Sequence, residues 1–154
     1  MIRREESGFM YQPSTTRLHH VGFVVPSISE SIDRFAACIS APHRTAVIAD
    51  PIQRVRVAFL SVSAPGQPQI ELVEPAGDRS PVTRFLEQGG GLHHVCYEVD
   101  DLAEQLGYMH SVGAMVLRNP RPATAFENRR IAWVTTPDKF LIEYLEREKQ
   151  RDSA

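Results

Sequence analysis

The sequence lacks the features that mark several large classes of protein. It has no apolar run near the roughly 20 residues that a membrane-spanning helix needs. No apolar secretory segment follows the N-terminus. The two cysteines, Cys38 and Cys96, form no CxxC pair, and a disulfide scaffold is not expected. The sequence therefore predicts a protein of the reducing cytoplasm with no membrane partner.

An excess of charge of either sign is also missing. The 17 basic and 19 acidic residues leave a formal net charge of −2 over 154 residues. Because the two signs are interspersed, the chain has no electrostatic footprint for nucleic acid. Its hydrophobic content of 42% is enough for the core of one domain. One domain without a nucleic-acid partner is expected.

The chain contains an internal repeat. The segment at 18–25, Leu-His-His-Val-Gly-Phe-Val-Val, recurs at 92–99 as Leu-His-His-Val-Cys-Tyr-Glu-Val. Further on, Ile-Glu-Leu-Val-Glu at 70–74 recurs at 142–146 as Ile-Glu-Tyr-Leu-Glu. These apolar segments predict two strands in each copy. Two further apolar segments in each copy, at about 45–48 and 54–60 in the first and at about 114–117 and 129–134 in the second, predict two more strands.

A helix is predicted after the first strand of each copy. Ser27 precedes Glu30 by three residues, and Asp101 precedes Glu104 by the same spacing. This arrangement resembles a capping box, in which the two side chains satisfy free amide groups at a helix start. Apolar residues then recur at helical spacing in both copies. Each copy therefore reads as strand, helix and three strands.

The predicted fold class is α+β, with two tandem βαβββ units forming an open, barrel-like sheet. The first of the last three strands is weak in both copies, at about 45–48 and 114–117, and residues 119–128 read as a loop. A helical connector is expected at 80–88. The predicted organisation is an N-terminal tail at 1–16, a single domain at 17–146 and a C-terminal tail at 147–154, with repeat one at about 17–76, the connector region at 77–91 and repeat two at about 92–146.

Strand periodicity separates the two histidines of each doublet. Successive side chains of a strand point to opposite faces. In the first copy, His19 shares a face with the apolar residues that can pack on the helix, and His20 points the other way. The same reasoning separates His93 from His94. Only one histidine of each doublet is thus predicted to face the concave side of the sheet.

Each copy also places an acid inside an apolar strand, where it is costly unless it is paired or bound to a metal. Glu71 lies 51 residues after His20, and Glu143 lies 49 residues after His94. Any one of these residues alone would more often be structural or solvated, but all recur in matched places. Two imidazoles and two carboxylates suit one divalent ion per chain, with Zn, Ni, Co, Mn and Fe left open. The sequence therefore predicts a metal site shared by both repeats.

The chain resembles the vicinal-oxygen-chelate superfamily, also called the glyoxalase, bleomycin-resistance and extradiol-dioxygenase superfamily, over about residues 18–146. It is most similar to methylmalonyl-CoA epimerases in the runs Ile-Glu-Leu-Val-Glu-Pro, Ser-Pro-Val-x-x-Phe-Leu-Glu and Gly-Leu-His-His-Val-Cys-Tyr-Glu-Val-Asp-Asp-Leu. The resemblance implies metal ligation by the second histidine of each doublet, Glu71 and Glu143. It also implies a homodimer.

The same resemblance implies a metal-dependent epimerase or isomerase. Such an enzyme would remove and return an α-proton on a small carboxyl- or thioester-bearing substrate, through a metal-stabilised enolate. Glu143 and Glu71 are the candidate catalytic bases, and Glu98 is an outside candidate. An acyl-CoA is the candidate substrate, although the His-Pro-Lys segment of epimerases is missing near the last hairpin. Val57 occupies the position where some epimerases carry a further glutamate.

Two other functions remain open. A glyoxalase I-like lyase would use the same set of two histidines and two glutamates. A non-enzymatic small-molecule binding or resistance protein would use the fold without the chemistry. An extradiol dioxygenase fits less well, because it binds its metal through two histidines and one carboxylate, whereas Glu71 here would be a fourth ligand.

Overall fold

The structure is a computed structural model that describes residues 16–61 and 66–148. The tails predicted at 1–16 and 147–154 therefore lie almost entirely outside the described residues. In chain order, the elements within those ranges are β1 (Arg17–Val24), α1 (Ile28–Cys38), β2 (His43–Arg44), β3 (Ile48–Asp50), β4 (Val55–Ser61), β5 (Gln69–Pro75), α2 (Thr83–Glu87), β6 (Gly91–Val99), α3 (Leu102–Ser111), β7 (Met115–Pro122), a 3-10 helix (Thr124–Phe126), β8 (Arg130–Thr135) and β9 (Leu141–Glu146).

The strands form one open sheet in the order β2-β4-β5-β1-β6-β9-β8-β7, and β3 pairs with β4 beside this path. At the centre, β1 and β6 pair antiparallel. Strand β1 pairs in parallel with β5, and β6 pairs in parallel with β9. The two halves of the sheet thus have the same plan on either side of the central pair. This confirms the predicted α+β fold of two βαβββ units in an open sheet.

Helices α1 and α3 begin at the predicted caps. The Ser27 hydroxyl accepts a hydrogen bond from the Glu30 amide at 3.4 Å, and an Asp101 carboxylate oxygen accepts one from the Glu104 amide at 2.9 Å. Both helices pack on one face of the sheet, each over its own repeat. Within the described ranges, no helix is long and apolar enough to cross a membrane.

The opposite face of the sheet, here called the inner face, carries a core that both repeats share. Its buried apolar side chains come from strands of both halves, from the 3-10 helix and from the residues that precede this helix and α2. They are Val24, Val55, Val57, Phe59, Val73, Val82, Cys96, Ala123, Phe126, Ile131 and Leu145. Because each half contributes to one cluster, the inner face of either repeat is completed by the other.

Some predicted boundaries were wrong. The weak strand expected at about 45–48 is replaced by two short strands, β2 and β3. The strand expected at 114–117 continues to Pro122, and a 3-10 helix follows within the predicted loop at 119–128. The little pattern of this segment suggested a loop. Its prolines are tolerated in β7 because this strand lies at the edge of the sheet, where a missing amide donor is allowed. The connector helix is shorter than expected, covering Thr83–Glu87.

Candidate metal centre

Cross-strand neighbours bring the four predicted ligands together on the inner face. His94 of β6 and Glu71 of β5 flank the same residue of β1. His20 of β1 and Glu143 of β9 flank the equivalent residue of β6. These two sets of cross-strand neighbours lie side by side because β1 and β6 pair with each other at the centre of the sheet. The sheet register therefore brings one histidine and one glutamate from each repeat together, with each histidine next to the glutamate of the other repeat.

The donor atoms of this cluster are close to one another. The Nε2 atoms of His20 and His94 lie 3.1 Å apart. Each of these atoms lies 3.2 to 3.3 Å from Oε2 of Glu71 and of Glu143. Both histidines thus point the same nitrogen at the same pair of carboxylate oxygens. The four residues form a group with the composition and closeness of a metal site.

The cluster buries opposite charges. All four side chains are buried, with His20 at 0% and Glu143 at 2% exposure. Burial by itself disfavours the charged forms, but the carboxylates outweigh it and raise the pKa of His20 and His94. In turn the histidines lower the pKa of Glu71 and Glu143 against the effect of burial. The carboxylates therefore stay ionised at neutral pH, and a metal ion that binds here competes with protons for the imidazoles.

The donor set fits a divalent ion. Donor atoms about 3.2 Å apart would lie about 2.0 Å from an ion at the centre of a tetrahedron. As adjacent ligands of an octahedron they would lie about 2.3 Å from the ion. Both distances are close to the bond lengths of Zn²⁺ to nitrogen and oxygen. Two anionic oxygens and two neutral imidazole nitrogens would also balance the charge of such an ion. The residues of this chain alone thus supply four suitable donors at suitable separations.

The separation of each histidine doublet by strand parity was wrong. His19 Nδ1 lies 2.7 Å from His20 Nδ1, and the His19 ring contacts Phe126 of the inner face. The cause is a β-bulge. Leu18 pairs with Tyr97 and His20 pairs with Cys96, so His19 is an extra residue without a direct partner. A bulge re-aims side chains and turns both histidines towards the inner face.

The second doublet has the same irregularity. Gly22 pairs with His94 and Phe23 pairs with Leu92, so His93 is the extra residue of β6. Its Nδ1 lies 2.9 Å from His94 Nδ1. Burial, together with the charge of the neighbouring histidine, lowers the pKa of both His19 and His93 to about 4. These two outer histidines are therefore neutral at neutral pH.

Gly22 makes room for one of the central imidazoles. A Cβ built on Gly22 would overlap the His94 ring, 2.5 Å from Nδ1 and 2.6 Å from Nε2. The equivalent residue of the second repeat is Cys96, which is fully buried beside His20. Burial raises the pKa of its thiol. The repeat is thus asymmetric at this position, and only the His94 side requires a glycine.

Replacing Gly22 by alanine is expected to displace His94. The ring has no free space on the crowded inner face, so we expect a loss of stability of about 1–3 kcal/mol and at least a tenfold weaker metal affinity. Gly107→Ala is the matched control, because a Cβ there meets nothing within 4 Å. Thermal unfolding and chelator competition measure both effects. Unchanged metal affinity in Gly22→Ala would contradict the close packing of Gly22 on His94.

Glu98 does not join the cluster. Its carboxylate is buried and pairs with Arg17 at 3.0 Å and Arg129 at 2.9 Å. Burial opposes its ionisation, but the hydrogen bond from Arg129 prevails and lowers the pKa of Glu98. The two arginines come from distant segments of the chain. Glu98 is therefore a buried carboxylate held between two arginines, outside the four-residue cluster.

A cavity of about 230 Å³ reaches the cluster. Glu71, His94 and Glu143 line it, and most of the remaining wall is apolar. Val57 forms part of that wall. Among the described residues, Arg118 is the only arginine or lysine of the lining. The cavity can therefore bring a small, partly apolar molecule with an anionic group next to the candidate ligands.

The chain is similar to proteins of known family. The sequence profile of the Glyoxalase/Bleomycin resistance protein/Dioxygenase superfamily matches residues 19–133. The ethylmalonyl-CoA/methylmalonyl-CoA epimerase of Cereibacter sphaeroides is 30% identical over 128 residues, which cover 79% of this chain and 90% of the relative. The mitochondrial methylmalonyl-CoA epimerase of Dictyostelium discoideum is 32% identical over 108 residues, covering 68% of this chain and 58% of the relative. The chain thus spans little more than half the length of this second relative.

A solved structure agrees with these relatives. The methylmalonyl-CoA epimerase of Mycobacterium tuberculosis superposes with a TM-score of 0.76 at 27% identity, covering 95% of this chain and 98% of the neighbour. The chain therefore belongs to the glyoxalase/bleomycin resistance/dioxygenase superfamily. Its relatives include methylmalonyl-CoA epimerases, as the sequence motifs predicted. Family membership and the four-residue cluster together indicate a metal-binding site.

Proposed function

We propose that the chain is a metal-dependent isomerase of the epimerase type, which removes and returns the α-proton of a small carboxyl- or thioester-bearing substrate. The observation that supports this most strongly is the clustering of two buried carboxylates and two imidazoles beside one cavity, which Glu71, His94 and Glu143 line. His20, Glu71, His94 and Glu143 would hold one divalent ion, drawn from Zn, Ni, Co, Mn and Fe. When bound, such an ion supplies Lewis acidity that stabilises negative charge developing on a substrate oxygen.

The proton transfers fall to carboxylates of the chain. Asp50, Glu71 and Glu143 are the carboxylates that line the cavity within the described residues. Asp50 is already engaged, because its two carboxylate oxygens accept hydrogen bonds from the backbone amides of Gln53 and Thr124. Glu71 and Glu143 therefore remain as the candidate base and acid. Their contacts to both histidines go through Oε2, which leaves Oε1 to exchange a proton with the substrate.

The geometry of the two acids suits proton transfer on two faces. Glu71 belongs to the first repeat and Glu143 to the second, and the central pair of strands lies between them. A planar, deprotonated substrate held between the repeats would expose one face to each carboxylate. Removal by one residue and return by the other inverts the α-carbon. The apolar part of the wall would reduce the access of water, which competes for the proton.

Deuterium exchange tests this proposal. Metal-loaded protein in deuterated water is incubated with acyl-CoA thioesters that carry an α-carboxyl group, and NMR follows the loss of the α-proton signal. The proposal predicts exchange with inversion on at least one thioester and none in the metal-stripped protein. A metal-loaded protein that neither exchanges the α-proton nor converts any substrate would contradict it and favour a non-enzymatic binding protein.

A glyoxalase I-like lyase is the second candidate. It is favoured by glutamate at both carboxylate positions of the cluster, Glu71 and Glu143, because such a lyase uses the same ligand set. The same NMR experiment distinguishes it when the panel includes a hemithioacetal of a 2-oxoaldehyde. Conversion of the hemithioacetal without α-proton exchange on any thioester would replace the epimerase proposal by this one.

Arg118 is expected to bind the anionic group of the substrate. Its side chain is half-buried in the cavity wall, and among the described residues no carboxylate lies within ion-pair distance of it. A hydrogen bond to a charged group contributes about 1.5–3 kcal/mol. We therefore expect Arg118→Gln to raise KM about 10- to 100-fold with little change in kcat. The exposed Arg121 of the same strand gives the control, Arg121→Gln. An unchanged KM in Arg118→Gln would exclude this contact.

A further inference from the structure

Each central histidine contacts the residue that precedes it through the nitrogen that does not face the cluster. His20 points Nε2 at the carboxylates, while its Nδ1 lies 2.7 Å from Nδ1 of His19. His94 does the same with His93, at 2.9 Å. Within each doublet the rings lie nearly perpendicular, at 78° and 90°. The same contact therefore occurs in both repeats.

A contact of this length between two ring nitrogens is a hydrogen bond with one shared proton. A neutral imidazole has one N–H group and one bare nitrogen. If Nε2 of His94 offers its lone pair to a metal, the proton of that ring must be on Nδ1. His93 must then present a bare Nδ1 as acceptor and carry its own proton on Nε2. The geometry thus links the tautomers of the two rings.

Two structural features hold the outer rings in place. The β-bulges at His19 and His93 allow adjacent residues to share one side of the sheet, which a regular strand forbids. Aromatic side chains then pack around the outer rings. His93 lies 4.7 Å from Phe85, and His19 lies 5.4 Å from Phe126, measured between ring centroids. The acceptor nitrogens are therefore fixed before any ligand arrives.

We propose that His19 and His93 are positioning residues, each of which accepts the Nδ1–H of the following histidine and holds it in the tautomer that offers Nε2 to the metal. Partners of this kind in other metal sites change metal affinity 10- to 100-fold when removed. The proposal rests on the metal site proposed above but not on the reaction that the site catalyses.

The two doublets differ in one respect, which sharpens the test. His20 has a second neighbour, because its ring, that of His19 and the thiol of Cys96 bring ligand atoms within 4.8 Å of one another. The thiol can accept the Nδ1–H if His19 is removed. At the equivalent place beside His94 stands Gly22, which has no side chain to offer. Loss of His93 should therefore weaken the site more than loss of His19.

The test compares leucine with asparagine at position 93. Leucine removes the acceptor, whereas the Oδ1 of asparagine lies close to the position of Nδ1. We expect His93→Leu to raise the Kd for Zn²⁺ about 10- to 100-fold in chelator competition and His93→Asn to restore it to within about threefold. His19→Leu should have a smaller effect, and His19→Leu combined with Cys96→Ala should match His93→Leu. Cys96→Ala alone serves as the control.

A spectroscopic readout separates positioning from a general structural effect. Long-range ¹H–¹⁵N spectra of the zinc-loaded protein should show His94 protonated at Nδ1 and His93 at Nε2. The opposite tautomers, or an unchanged Kd in His93→Leu, would overturn the proposal. A thiolate-to-metal absorption band after Co²⁺ loading would also overturn it, because it would place the metal at His19, His20 and Cys96. A wild-type protein that binds no metal would contradict the metal site itself, before any variant is made.

Discussion

Replacing His94 by alanine is expected to remove almost all bound metal. If four ligands share the roughly 10–16 kcal/mol of a structural zinc site, loss of one costs about 3 kcal/mol and weakens binding by about 100-fold or more. The change also leaves Glu71 and Glu143 buried with one imidazole fewer, so we expect the metal-free protein to lose about 3 kcal/mol of stability. Metal content after dialysis against a chelator and thermal unfolding measure the two effects.

The control for this change is His43→Ala, because His43 is exposed on β2, far along the sheet order from the central strands. It should keep the metal content of the wild type. His20→Ala should behave like His94→Ala, since both contribute Nε2 at equal distances from the carboxylates. Full metal retention in His20→Ala and His94→Ala would contradict the shared site.

The second large effect is expected at Glu143. Glu143→Gln keeps the size of the side chain and an oxygen that can contact the metal, but the amide cannot accept a proton. General base catalysis contributes about 10²- to 10⁴-fold, and we expect α-proton exchange to fall by that factor when the variant is saturated with metal. NMR in deuterated water measures the rate. If metal-saturated Glu143→Gln exchanges as fast as the wild type, Glu143 is not the base.

Glu71→Gln gives the matched comparison, because Glu71 has the equivalent contacts in the other repeat. With Glu71 returning the proton on the opposite face, this variant should lose inversion while retaining exchange without inversion. Equal and complete loss of exchange in both variants would instead assign the two residues a common role as ligands.

The repeat made much of this arrangement predictable. His20 and Glu71 recur as His94 and Glu143 at nearly equal spacing, and a symmetric pairing of two similar units brings matched positions together. The apolar neighbours of both glutamates indicated strands in which an acid is costly unless it is paired or bound to a metal. Local pattern and repeat symmetry thus predicted the fold and the two glutamates, whereas the choice of the second histidine in each doublet rested on the family resemblance.

The outer histidines could not be placed in this way. Parity along a strand assumes one residue for each partner, but β1 and β6 carry one extra residue each, at His19 and His93. These bulges depend on the register between two strands more than 70 residues apart, which neither strand reveals alone. Gly22 escaped notice for the same reason, since its need for space arises from the ring of His94 across the pair.

Ion pairs between distant segments and the position of a strand at the edge of the sheet could not be predicted from the local sequence either. The sequence around Glu98 did not indicate its partners, because Arg17 and Arg129 reach it from different ends of the domain. Arg118 gave no sequence signal either, because only the assembled cavity separates it from the other arginines. The second half of β7 shows little sequence pattern and was therefore predicted as a loop, whereas the structure makes it part of a strand at the edge of the sheet.

Anomalous diffraction from crystals of the metal-loaded protein, recorded at the absorption edge of the bound metal, tests the shared site most directly. We predict one strong peak per chain, surrounded by Nε2 of His20 and His94 and by carboxylate oxygens of Glu71 and Glu143. A peak at another group, such as His19, His20 and Cys96, or no peak in protein loaded with any of Zn, Ni, Co, Mn or Fe, would contradict the account.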